Sequence, residues 1–156
     1  MAKDDDEGTR LDRELNELLQ ELRVIIPGIQ VLFAFLLTMP FSVGFRDVTD
    51  FQRSIYFAAF VATALASVLL IAPSVQHRLR WRQHDKEHLL RTANRLALGG
   101  TILVAVAIDA VVLVVTDFLY GATTAAVATA SVGAALLVVW WVSPLARAVR
   151  ASPGRS

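Results

Sequence analysis

Asp109 is the residue through which this chain could do chemistry. It sits two positions past the centre of an apolar run from Leu96 to Phe118. If that run crosses a bilayer, Asp109 lies about 3 Å from the midplane at a rise of about 1.5 Å per residue. An ionised carboxylate at such a depth costs roughly 2.5–3.5 kcal/mol even on insertion scales. Two roles are open to it. One is a proton or cation site. The other is a protonated residue that hydrogen-bonds neighbouring helices together. No Lys or Arg falls at that depth in any apolar run, so a salt bridge within the chain is not expected. Thr38, Thr63, Thr129 and Ser131 fall within about 5 Å of the midplane on the same side, and could form one polar layer with Asp109.

Other polar groups flank this level. Gln30 lies one turn past Pro27–Gly28, where it can bond across helices or satisfy backbone freed by the proline. Asn94 and Arg95 stand where the run around Asp109 begins, as an inner mouth. Arg95 most simply extends its charged head to the interface. His84 and His88 are four apart, with His77 nearby. Zinc needs three or four ligands at defined geometry, and Arg78, Arg80, Arg82, Lys86 and Arg91 around them repel a cation, so no metal site is expected. With no cysteine, thiol catalysis and thiolate metal sites are excluded. No phosphate-binding loop, dinucleotide glycine pattern or Ser–His–Asp set is present. Neither an enzyme nor a cofactor is expected.

The elements that must hold these residues are four apolar stretches, at about 24–45, 55–75, 96–118 and 122–142. A bilayer core about 30 Å thick needs roughly 20 helical residues, so each is long enough to cross. The expected fold is all-α: a polytopic four-helix transmembrane bundle over residues 24–142. An acidic segment, 1–23, precedes it and a short tail, 143–156, follows. Within the first segment Thr9 and Asp12 resemble a capping box. Leu11, Leu15, Leu18 and Leu22 share one helical face, while Arg10, Arg13, Glu14, Glu17 and Glu21 fall on others. That amphipathic helix lies on the membrane surface, folds against the bundle, or forms a short seam between subunits. Pro27 should bend the chain as it enters the bilayer, and Pro40 should kink the first span. Pro73 and Pro144 should end the second and fourth. Ala122, Ala126, Ala130 and Ala134 form one small-residue stripe, Gly121, Ala125, Thr129 and Gly133 another, and Ala58, Ala62 and Ala66 a third. Such stripes let helices approach closely in lipid, and two on one helix point to contacts within and between subunits.

Charge sets the orientation. Residues 1–23 carry eight acids and four bases, and residues 76–95 carry six bases and two acids. The segments before the first span, between the second and third, and after the fourth hold 13 of the 15 Lys and Arg; the opposite side has Arg46 and Arg53. Basic loops stay in the cytoplasm, so both termini are placed inside a multi-pass protein of the cell membrane. The basic segment, with Arg78, Arg80, Arg82, Lys86 and Arg91, should meet anionic lipid headgroups. A nucleic-acid partner is not implied. The bilayer and further copies of the chain are the expected partners, and the sequence names no protein partner.

The run ELNELLQELRVIIPGIQVLFAFLLTMPF, from Glu14 to Phe41, carries a resemblance. With QRSIYF, IAPSVQHR and ANRLAL further on, it resembles a bacterial family of small membrane proteins of unknown function. The likeness covers about Leu11 to Arg147. Some similar proteins carry a sodium:proton antiporter label, which implies a cation pathway but supplies no residue roles. Two functions are therefore expected: a small oligomeric proton or cation transporter or channel built on Asp109, or a non-transporting scaffold or accessory subunit working through its N-terminal helix and basic inner loop.

Overall fold

The computed structural model describes residues 2–79 and 86–142. Helix α1 runs Ala2–Thr38, α2 Asp50–Leu79, α3 Lys86–Tyr120 and α4 Ala122–Leu137; a wider π-helical turn, Val138–Val142, prolongs α4. Two 3₁₀ turns, Met39–Phe41 and Val43–Arg46, join α1 to α2. There is no strand among the described residues. All four helices are long and apolar enough to cross a membrane. The end holding residues 39–49 and Gly121 is the hairpin end.

Prolines act differently from the sequence expectation. Helix α1 passes through Pro27 without a break, so the amphipathic segment and the first span are one helix. At 37 residues it is about 55 Å long, well beyond a bilayer core of about 30 Å. Pro40 does not kink a span: α1 ends at Thr38, and residues 39–45 leave the α-helix. The physical reason lies one turn back. Pro40 has no N–H to give the Leu36 carbonyl, and the Tyr56 hydroxyl from α2 donates to that carbonyl instead. Pro73 does not end α2, which continues to Leu79 with Pro73 fully buried inside it. Pro144 lies outside the described residues.

Helices α1, α2 and α3 pack on one another around an apolar core. The period is visible along each. Gln52, Tyr56, Ala59, Thr63, Ala66, Leu70 and Pro73 are buried on α2, and Ala93, Gly100, Val104, Ala107 and Val114 on α3. Steps of three and four average 3.5 residues, the repeat of a left-handed seam. The expected stripe Ala58–Ala62–Ala66 only partly follows it: Ala62 and Ala66 are buried and Ala58 is exposed. A strict four-residue step drifts about 40° per turn, so it leaves the seam. Closeness comes from small side chains. A Cβ on Gly100 would stand 2.5 Å from Leu70 Cγ, so the Leu70 side chain of α2 rests directly on the α3 backbone there.

The four expected helices are present, with the fourth at the edge of their packing. Among the described residues, α4 packs against α3 alone. Gly121 is the single residue between them; its φ of +84° favours glycine and turns the chain straight back. The stripe facing α3 is the one with buried Ala125 and half-buried Thr129 and Gly133, whereas Ala122, Ala126, Ala130 and Ala134 are all exposed. Much of the remaining surface is apolar, with Val24, Phe35 and Phe41 exposed by 79, 69 and 89 %. Apolar side chains on this scale suit a lipid surround.

Candidate functional site: the seam between α3 and α4

At about 100° per residue, Asp109 falls roughly half a turn round α3 from Gly100 and Ala107. It therefore faces away from α2 and towards α4. Gly133 leaves room for it: a Cβ there would lie 3.2 Å from Asp109 Oδ2 and 3.5 Å from Oδ1. Asp109 and Gly133 are each twelve positions from Gly121, so the tight turn brings them level. Thr129 is one turn along the same face of α4. Asp109 Oδ1 and Thr129 Oγ1 are both buried, and neither has a hydrogen-bond partner. Buried polar atoms are paired in the great majority of cases, so these two orphans set the seam apart from the rest of the described interior. A carboxyl group supplies a proton donor when neutral and two acceptor oxygens when ionised.

The expected polar layer is not assembled. The Thr38 hydroxyl donates to Phe35 O at 2.8 Å, that of Thr63 to Ala59 O at 2.8 Å, and that of Ser131 to Val127 O at 2.7 Å. Each is satisfied within its own helix, the usual fate of a mid-helix hydroxyl in an apolar setting. Thr38 and Ser131 are exposed, and Thr63 is fully buried on α2. Of the expected hydroxyls, Thr129 alone shares the Asp109 seam.

Gln30, Asn94 and Arg95 are all exposed, so Gln30 does not bridge helices and the three form no closed mouth. Arg95 stands two heptads from Asp109 on nearly the same side of α3. Of the basic segment, Arg91 is exposed on α3. The side chains of Arg78 and Lys86, and Arg80 and Arg82 altogether, lie outside the described residues, as do the side chains of His77, His84 and His88. Among the described residues no group of three or more His, Cys, Asp or Glu could hold a metal ion.

At the N-terminal half of α1, Leu18 and Leu22 pack inward. Leu18 meets Ala93 beside Leu19 and Leu90, and Leu22 joins Ile29, Ala66, Leu70 and Val104. This part of the leucine face is thus folded against α2 and α3. Leu11 and Leu15 lie outside the described side chains. The polar faces stay in solvent, with Arg10–Glu14 at 2.8 Å and Arg13–Glu17 at 3.2 Å.

A second polar cluster, at the hairpin end, went unseen in the sequence. Thr49 and Gln52 form a reciprocal cap on α2: Gln52 N donates to Thr49 Oγ1 at 3.2 Å, and Thr49 N to Gln52 Oε1 at 3.0 Å. The Gln52 amide then donates to Asp117 Oδ2 at 2.8 Å. The T-x-x-Q spacing of a capping box was the available signal. Close by, an apolar cavity of about 220 Å³ is lined by Met39, Phe45, Val48, Val114 and Phe118 among others.

A family model described as a family of unknown function, DUF6328, matches residues 4–144. No curated protein and no solved structure matches the chain.

Proposed function

Because this chain belongs to the DUF6328 family of unknown function, its role must come from its own residues, and we propose that it moves a proton or cation across the cell membrane as an assembly of copies, with Asp109 as the exchangeable site. The observation that carries this reading is the buried Asp109 oxygen left without a partner beside Gly133. An intramembrane carboxylate is expensive to keep and marks a pathway or proton relay by default. The assembly is supported by α4, which packs on one helix while its Ala122–Ala126–Ala130–Ala134 face stays uncovered. Small residues on such a face are the usual material of helix association in lipid. The charge asymmetry supports both termini and the basic loop inside, against anionic headgroups. The bacterial origin and the cation-exchange label implied by the sequence resemblance belong to the same reading. No catalytic role is proposed.

The test is flux in liposomes. Asp109→Asn keeps the shape and removes the ionisable group. It should lower proton or cation flux by about tenfold or more, as loss of a relay group does, while size-exclusion elution and helix content stay unchanged. Equal flux in the two proteins removes Asp109 from the mechanism.

The scaffold reading rests on the exposed charged faces of α1, since Leu18 and Leu22 are committed to the core. Charge reversal of Arg13 and Glu17, both on those exposed faces, would then abolish capture of a partner while the spans still insert. Capture that survives the reversal counts against it.

A further inference from the structure

We infer that the Asp109 seam takes a bare proton and excludes metal cations, an inference that rests on the reading of Asp109 as the exchangeable site. Hard cations are held by about six or more oxygen ligands. This seam offers three: the two Asp109 carboxylate oxygens and Thr129 Oγ1. Backbone carbonyls cannot make up the number. Cation sites in membrane transporters draw on carbonyls freed where a helix unwinds. Here α3 is α-helical from Lys86 to Tyr120 and α4 from Ala122 to Leu137, so the carbonyls beside Asp109 and Thr129 are engaged in their ladders. The nearest irregular backbone on α4, the π turn at Val138–Val142, begins five residues past Gly133, about 7 Å further along the axis. Residues 39–49, outside the α-helices, are at the hairpin end, and Asp109 is eleven residues short of Tyr120, about 16 Å away.

Space gives the same answer. A single methyl group at Gly133 would already crowd Asp109 Oδ2 at 3.2 Å. An ion that keeps part of its water shell has no room between that carboxyl and α4. Among the described residues no other charge faces the group. Helix α4 carries no titratable residue in Ala122–Leu137, α1 none from Val24 to Thr38, and α2 only Tyr56 between Ser54 and Val75. The Tyr56 hydroxyl is engaged with Leu36 O. On α3 itself the next acid is Asp117, two turns away and paired with Gln52. A proton needs neither cage nor counter-ion. It turns Asp109 into a neutral group that can donate one hydrogen bond and accept others, and the unpartnered Thr129 hydroxyl lies one turn away from Gly133 on α4.

The experiment uses the full-length protein in liposomes, with sodium present or every metal cation replaced by choline, and thiocyanate, a membrane-permeant anion, balancing charge. Proton flux is read with an enclosed pH dye, sodium entry with radioactive sodium, and the protonated carboxyl by difference infrared spectroscopy across a pH titration. The expected results are a proton flux that changes by less than about twofold when sodium is removed, and no sodium entry driven by a pH gradient. A carboxyl band should titrate identically with and without sodium and be absent from Asp109→Asn. Asp109→Glu, which keeps the acid, should retain the band. Proton flux that collapses without sodium, or a carboxyl band displaced by sodium, overturns the inference. A titrating band that ignores sodium, found without flux above that of Asp109→Asn, upholds the proton as ligand and removes transport from the proposed function. Absence of the band at every pH overturns both.

Discussion

The two faces of α3 are built alike and finished differently. On one, Gly100 lets Leu70 of α2 settle onto the backbone. On the other, Gly133 of α4 makes the same kind of gap, and what fills it is the Asp109 carboxyl. The first face is an alternation of small and branched apolar side chains with no polar atom left over. The second leaves two buried oxygens unpartnered. Close approach is therefore common to both, and the choice of side chain entering the gap separates a wholly apolar joint from one that carries an ionisable group. Asp117 sharpens the contrast: eight residues from Asp109 on the same helix, it has the Gln52 amide at 2.8 Å.

That difference can be broken from either side. Gly100→Ala should have the largest effect. Its Cβ would stand 2.5 Å from Leu70 Cγ, and overpacking of this kind costs roughly 1–3 kcal/mol. Unfolding in bicelles would read the loss, and an unchanged midpoint would mean that the Leu70 side chain does not rest on the α3 backbone. Asp109→Leu should act in the opposite sense. Removing an unsatisfied buried polar group recovers about 1 kcal/mol or more, so this variant should be the more stable protein while carrying no flux. A stability loss instead would show that the carboxyl has a structural partner. The smallest effect belongs to Gly133→Ala. The atom it meets is the end of a side chain, at 3.2 Å, which can yield by a few tenths of an ångström, so stability should shift by less than about 0.5 kcal/mol. Flux should nevertheless fall, because the carboxyl would be pushed from its place. A large loss of stability would mean that the α3–α4 seam is as rigid as the α2–α3 one.

The four apolar helices were legible because length and hydropathy alone decide whether a segment can cross a bilayer. The turn at Gly121 was legible too, since two long apolar runs with three residues between them have one way to connect. The prolines were harder to read. Whether one breaks a helix depends on what takes up the carbonyl it strands, and for Pro40 that is Tyr56, from another helix. Asp109 was legible as a type at a depth, but its surroundings were not. Hydroxyls at one level of the bilayer say nothing about which way they face, and Thr63 and Ser131 turned to their own backbones. The position of α4 outside the core was hidden for a related reason: both of its small-residue stripes could pack, and only the geometry of the turn selects the one that does. The Thr49–Gln52 cap was written in the sequence as a local pattern; its bond to Asp117 was not, because 65 residues separate the partners.

The single-residue link at Gly121 also bears on how the protein is made. With no loop to thread across, α4 cannot be delivered to the far side and brought back independently of α3. If the helices cross a bilayer, the two enter it together as one helical hairpin. Pairing suits both members: α4 has the lowest mean hydropathy of the spans, 1.9 against 2.6 for α3, while α3 brings a carboxyl group that lipid alone would penalise. Each covers the other's weakness at the moment of insertion, before any other helix is needed.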